Sequence, residues 1–115
     1  MEQVTEIRLN KQKNELKITF EDEMYYLLPA ELLRVESPSA EVQGHSANQK
    51  ITPSGKSKVK ILSIEPIGNY AIAIKFDDGH DTGIFSWQYL KKLSIDKETL
   101  WKNYLSRIKS LKLSR

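Results

Sequence analysis

Residues 76–87, FDDGHDTGIFSW, set Asp77, Asp78, His80 and Asp81 around an Asp-Gly pair. Carboxylates beside an imidazole can ligate a cation or relay a proton. The same string is a hairpin signal, because Asp-Gly falls between apolar runs, Gly79 can supply a positive φ and the aspartates can accept backbone hydrogen bonds. Adjacent strand residues point to opposite faces, so His80, Asp78 and Asp81 converge only if the turn redirects them. The other histidine, His45, lies in AEVQGHSAN and could meet His80 if its loop folds over the sheet. Two histidines with Glu41 or an aspartate would resemble a 2-His-1-carboxylate iron site, although neither H-x-D nor H-E-x-x-H spacing occurs. The expectation is a hairpin turn leading into a helix, with His45, His80, Asp78 and Asp81 kept as alternative metal candidates.

Other chemistries are easier to set aside. The chain has no cysteine, which removes disulfides, thiolate-bound zinc and thiol catalysis. PSGKSK has a lysine after glycine but lacks the first glycine of a P-loop and any strand before it. No nucleophile elbow or close acid–base pair with supporting context is present, so the expectation is a protein that is not an enzyme. Trp87 and Trp101 read as core or near-core anchors. As stacking platforms for single-stranded nucleic acid they would need lysine and arginine interleaved with them, and MYYLL and IFSWQYL are apolar or acid-flanked. Nucleic acid is therefore not the expected partner, despite the lysine-rich loop and last helix.

The elements that must hold these residues follow from hydrophobic periodicity. TEIRL and ELKITF alternate, placing Ile7 and Leu9, then Leu16, Ile18 and Phe20, each on one strand face. MYYLL, residues 24–28, returns as a third strand. Pro29 suits the first turn of a short helix, AELLRV, which Pro38 closes. Residues 37–57 read as a long exposed loop. KVKILSIEPI and YAIAIKF form a hairpin with Tyr70, Ile72, Ile74 and Phe76 on one side, while Ala71 and Ala73 would let a helix lie close on the other. TGIF completes that sheet. Ser86 caps a helix over SWQYLKKL; Asp96 caps a last one with Ile95 and Leu100 spaced as a hydrophobic staple. Leu100, Tyr104, Ile108 and Leu111 form its apolar stripe, and the terminal LKLSR is expected to fray.

A length of 115 residues suits one domain, 1–115, and the net charge is +3 from 18 basic and 15 acidic side chains. Acids dominate Glu21–Glu41, whereas four lysines and no acid occupy Lys50–Lys60, and six basic residues face two acids from Asp96 to Arg115. This dipolar pattern suits protein contact. MEQVTEIRLN lacks the basic and apolar regions of a signal peptide, and no run approaches the ~18 apolar residues of a membrane span. The expected location is the cytoplasm.

LRVESPSAEVQGH together with IGNYAIAIKFDDGHDTGIFSW resembles the gamma-butyrobetaine hydroxylase N-terminal-like domain, over about residues 5–93; the helix at 96–113 lies outside. The resemblance implies a stand-alone bacterial member of a family that also forms the non-catalytic front of dioxygenases and accompanies iron–sulfur assembly ATPases. It implies an α+β fold: two layers, a twisted, mainly antiparallel sheet with short helices packed on one face, here followed by a C-terminal amphipathic helix. In the dioxygenases the domain has a zinc knuckle of three cysteines and a histidine. Ser37, Ser39 and Val42 stand at the cysteine positions and His80 at the histidine, so zinc is not expected. The resulting expectation is a binding or accessory module without cofactor that meets another protein through the 37–57 loop and the 77–81 turn, including Arg34, His45, Asp78, His80 and Trp87. The alternative is an iron-binding accessory protein.

Overall fold

The computed structural model describes residues 3–44 and 51–115. The first sheet is a meander of β1 (Val4–Leu9), β2 (Glu15–Phe20) and β3 (Tyr25–Pro29), antiparallel in the order β1-β2-β3. Alternation in β2 is strict: Leu16, Ile18 and Phe20 are wholly buried while Glu15, Lys17 and Thr19 are not. Ile18 pairs with Ile7 on one side and Tyr26 on the other, so the meander presents one apolar face. Its turns rest on short polar side chains. Asn10 Oδ1 accepts the N–H groups of Asn14 and Glu15, and Asp22 Oδ1 accepts that of Met24.

Pro29 ends β3 and stands before α1 (Ala30–Val35) with φ −64° and ψ 144°, the extended geometry that lets a strand pass directly into a helix. Leu32, Leu33 and Val35 turn inward and are fully buried, as the sequence predicts. Within the stretch read as an open loop the chain makes one more turn of helix, α2 (Ala40–Gln43). Its start is set by Ser39, whose hydroxyl accepts the Glu41 N–H. A four-residue helix carries too little periodicity to announce itself.

The second sheet is β4 (Ile61–Ile67), β5 (Ala71–Phe76) and β6 (Gly83–Ser86), also antiparallel, with β5 central. The expected α+β class and antiparallel pairing are therefore observed, with the six strands among the described residues divided between two sheets. The two are stitched where Ile61 N–H donates to Lys13 O in the β1–β2 turn. Their inner faces share one cluster: Leu16, Ile18, Phe20 and Leu28 meet Ile61, Ile72, Ile74, Phe76 and Phe85, closed by Leu90 and Leu93 of α3 (Trp87–Ile95). Tyr70 departs from the expected inward stripe. It is 58% exposed because it sits in the turn before β5, whose preceding Gly68 has φ +54°. Ala73 departs too, since it lines an open depression with Ser63, Glu65 and Lys75 and receives no helix.

Ser86 caps α3 as predicted, accepting the Tyr89 N–H at 3.1 Å. Asp96 precedes α4 (Lys97–Ser110) but makes no side-chain cap bond, and Ile95 is 65% exposed, so no staple forms. Helix α4 is anchored by Tyr104 and Ile108 against Val35, with Trp101 alongside; Leu111, expected in the stripe, is exposed. Residues 111–115 are held rather than frayed, because Ser114 O accepts the Gly55 N–H and Arg115 reaches Glu31. No helix among the described residues is long and apolar enough to cross a membrane.

Candidate functional site

The turn between β5 and β6 is built as the Asp-Gly signal requires. Gly79 has φ +93°, a region that side chains with a Cβ avoid, and the Phe76 N–H donates to His80 O to close the turn. Asp77 Oδ1 accepts the Lys60 N–H, and Asp78 Oδ1 accepts the His80 N–H at 3.0 Å. These bonds rotate His80 inward. Its ring lies 6.0 Å from that of Phe76 and the residue is only 5% exposed.

Facing it is the α1–α2 connection. His80 Nε2 lies 2.9 Å from Ser37 Oγ, and Glu41 Oε2 lies 3.2 Å from Nδ1. The carboxylate is close but off the line of the ring N–H, so Nδ1 has a neighbouring charge and no aligned hydrogen bond. That charge favours a proton on Nδ1, in which case Nε2 accepts from the Ser37 hydroxyl. Burial lowers the His80 pKa below the ordinary histidine value, and the Arg34 guanidinium lowers it further. Both outweigh the opposing pull of Glu41 and Asp78. Around this pair, Ser39 Oγ lies 2.6 Å from Thr82 Oγ1 and the Gln43 amide donates to Ser37 O. Gly83 is needed for the approach: a Cβ there would strike Ser37 Oγ and crowd the Phe85 ring.

Asp78 occupies the rim. Its Oδ2 is 2.7 Å from Arg34 Nε and 2.6 Å from Lys56 Nζ. Burial alone would raise its pKa, but the lysine, the His80 N–H and the guanidinium bring it down to about 2. The carboxylate is thus committed to two cations.

Of the residues singled out in the sequence, the structure brings together Arg34, Asp78 and His80. It separates Asp81, which is exposed in the depression beside Lys75. It also separates Trp87, at the far end of β6, whose Nε1–H donates to Asn69 O at 2.6 Å. His45 lies outside the described residues. Sequence reasoning missed Lys56, Thr82 and Gly83, whose signals are a loop lysine, a hydroxyl and a small residue with no spacing to mark them.

Ser37, His80 and Glu41 have the connectivity of a nucleophile, a base and an orienting carboxylate. In this structure the serine and the imidazole are enclosed. Ser37 is wholly buried, and its hydroxyl sits against Gly83, where a Cβ on residue 83 would strike it. Zinc fits no better, since two hydroxyls and the buried methyl groups of Val42 cannot replace thiolates. Among the described residues no three His, Asp or Glu side chains are placed to hold a cation.

A second feature lies apart from this cluster. Val4, Ile7, Leu9, Ile64, Pro66 and Trp87 line an open groove of about 560 Å³ between the two sheets. Strands β1 and β4, each the edge of its sheet, flank it.

The architecture defines a small two-sheet α+β domain with a polar staple between its helical connection and its second sheet. The chain belongs to the family described as gamma-butyrobetaine hydroxylase-like, N-terminal, whose model matches residues 7–91. It is similar to a protein whose structure was determined by NMR in solution, with 43% identity and a TM-score of 0.85 over 100% of this chain and 90% of that one. A second NMR structure matches at 43% identity and the same TM-score, with 86% of that chain covered. A crystal structure of a protein of unknown function in the DUF971 family from Acidithiobacillus ferrooxidans ATCC 23270 is 36% identical, with a TM-score of 0.66 over 80% of this chain and 92% of that one. No curated protein matches significantly.

Proposed function

We propose that this protein is a non-catalytic binding module, and that its partner is another protein presenting an extended segment to the groove between β1 and β4. The observation that carries this reading is the groove itself: apolar walls, Trp87 at one side and two edge strands along its length. Edge strands offer unpaired backbone donors and acceptors, so a strand laid alongside gains main-chain hydrogen bonds while its alternate side chains enter the apolar floor. The polar cluster supports the same reading from the other side. Its imidazole is buried and its rim carboxylate is already paired with Arg34 and Lys56, which leaves neither poised for substrate.

The test is capture with the full chain as bait, followed by calorimetry of the purified partner against wild type and Ile64→Asp. Binding in wild type that falls at least tenfold in the variant supports the groove; equal binding removes it. A fluorophosphonate that labels wild type but not Ser37→Ala would overturn the non-catalytic reading. Iron accessory chemistry, the alternative raised by the sequence, gains no specific support from the described residues.

A further inference from the structure

Glu31 is an unusual residue to find buried. It sits in the first turn of α1 with its side chain only 6% exposed, remote in sequence from every group it touches. One oxygen, Oε2, accepts from the Tyr104 hydroxyl at 2.8 Å and from Arg115 Nε at 3.1 Å; the other, Oε1, accepts from Arg115 Nη2 at 2.8 Å. The guanidinium also lies 5.3 Å from the ring of Trp101, which in turn is 5.3 Å from Tyr104.

A planar cation gripped at two points by a carboxylate and covered by an indole face is arginine recognition in all its parts. The receptor half is rigid. Tyr104 is fully buried, and its hydroxyl fixes the carboxylate from behind. The ligand half is held more lightly: the Arg115 side chain is 49% exposed and Leu111 is 57% exposed, and besides the ion pair the tail is tied down by the Leu113 N–H to Ile108 O and by Ser114 O to the Gly55 N–H. With Arg115 lifted away, Glu31 would remain a buried carboxylate with a single phenol for company, a state that favours recapture of a guanidinium.

We propose that Glu31, Tyr104 and Trp101 form a guanidinium-binding site, filled here by the chain's own Arg115, which an arginine side chain of a partner protein occupies when residues 111–115 are displaced. The site is separate from the groove between β1 and β4 and does not depend on it. A lysine would not serve equally, because a point-like ammonium cannot span both carboxylate oxygens while stacking on the indole.

The experiment uses the full chain carrying Arg115→Ala and an acetylated, amidated peptide, Leu-Lys-Leu-Ser-Arg, followed by the indole N–H resonances of Trp101 and Trp87. The expected result is a saturable shift of Trp101 with Trp87 unmoved. Wild type, in which Arg115 competes from within, should bind about tenfold more weakly. A peptide with citrulline in place of arginine should give no shift. A Trp101 resonance that stays fixed at millimolar peptide, moves equally with citrulline, or responds identically in wild type would overturn the proposal. Glu31→Gln should abolish the shift, and if that variant does not fold the citrulline comparison still decides.

Discussion

His80 and Asp78 are two residues apart and joined by a hydrogen bond, yet they report on different pH ranges. His80 has its pKa lowered in the folded state, so the unfolded chain binds the proton more readily. Its contribution is therefore fully present above the unfolded value of about 6.5 and is lost as pH falls below it. The urea midpoint of wild type should drop between pH 7.5 and 5.5 by more than that of His80→Gln; parallel drops would show that the buried ring is not what titrates. Asp78 works lower. With its folded pKa near 2 against 3.8, it stabilises above the unfolded value and ceases to do so as pH falls through about 2. Asp78→Asn should cost on the order of 2 kcal/mol at pH 7 and nothing once wild type is itself protonated. A cost unchanged at pH 2 would place the effect in packing instead of charge.

At the scale of elements, the α1–α2 connection and β6 touch through Ser37 and Gly83. A Cβ at residue 83 would overlap the serine hydroxyl, so Gly83→Ala should destabilise by about 1–3 kcal/mol, the usual range for overpacking. Removing the hydroxyl makes room. In the pair Gly83→Ala with Ser37→Ala the damage should be smaller than the sum of the two single changes, measured by chemical denaturation, and strict additivity would mean that the collision is relieved elsewhere. This contact also shows where sequence reading stopped. The strands were legible because Leu16, Ile18, Phe20 and Ile72, Ile74, Phe76 keep a period of two. Helix α1 was legible through Pro29 and the Leu-Leu pair, and the turn at Gly79 through its Asp-Gly signal. The partners of His80 were not. Glu41 and Ser37 lie about forty residues from it, and no local pattern encodes which hydroxyl meets which imidazole. Asp96 misled for a related reason: a residue suited to capping caps only if the backbone turns its side chain toward the N–H groups, and here it does not. The anchoring of residues 111–115 depended on Glu31, a long-range contact that terminal composition could not reveal.

Across the whole molecule, burial divides unequally. The two sheets with α1 and α3 supply most of the buried side chains of the large cluster, and α4 adds only the partly buried Leu100 and Trp101 to it; its own buried residues, Tyr104 and Ile108, pack on Val35, and the helix lies beyond the span matched by the family. Free energy of opening follows buried apolar contact, so α4 should detach before the sheets part. Native-state hydrogen exchange should accordingly find the amides of Tyr104 and Ile108 less protected than those of Ile18 and Ile74. The bond from Tyr104 to Glu31 spans the seam between these units. Tyr104→Phe removes it and leaves the carboxylate with Arg115 alone, a loss of about 1–2 kcal/mol on the α4 side. Protection at Ile108 should then fall while that at Ile18 and Ile74 stays where it was. If all four amides lose protection together, α4 and the sheets unfold as one unit, and the seam at Glu31 is part of the core it was thought to border.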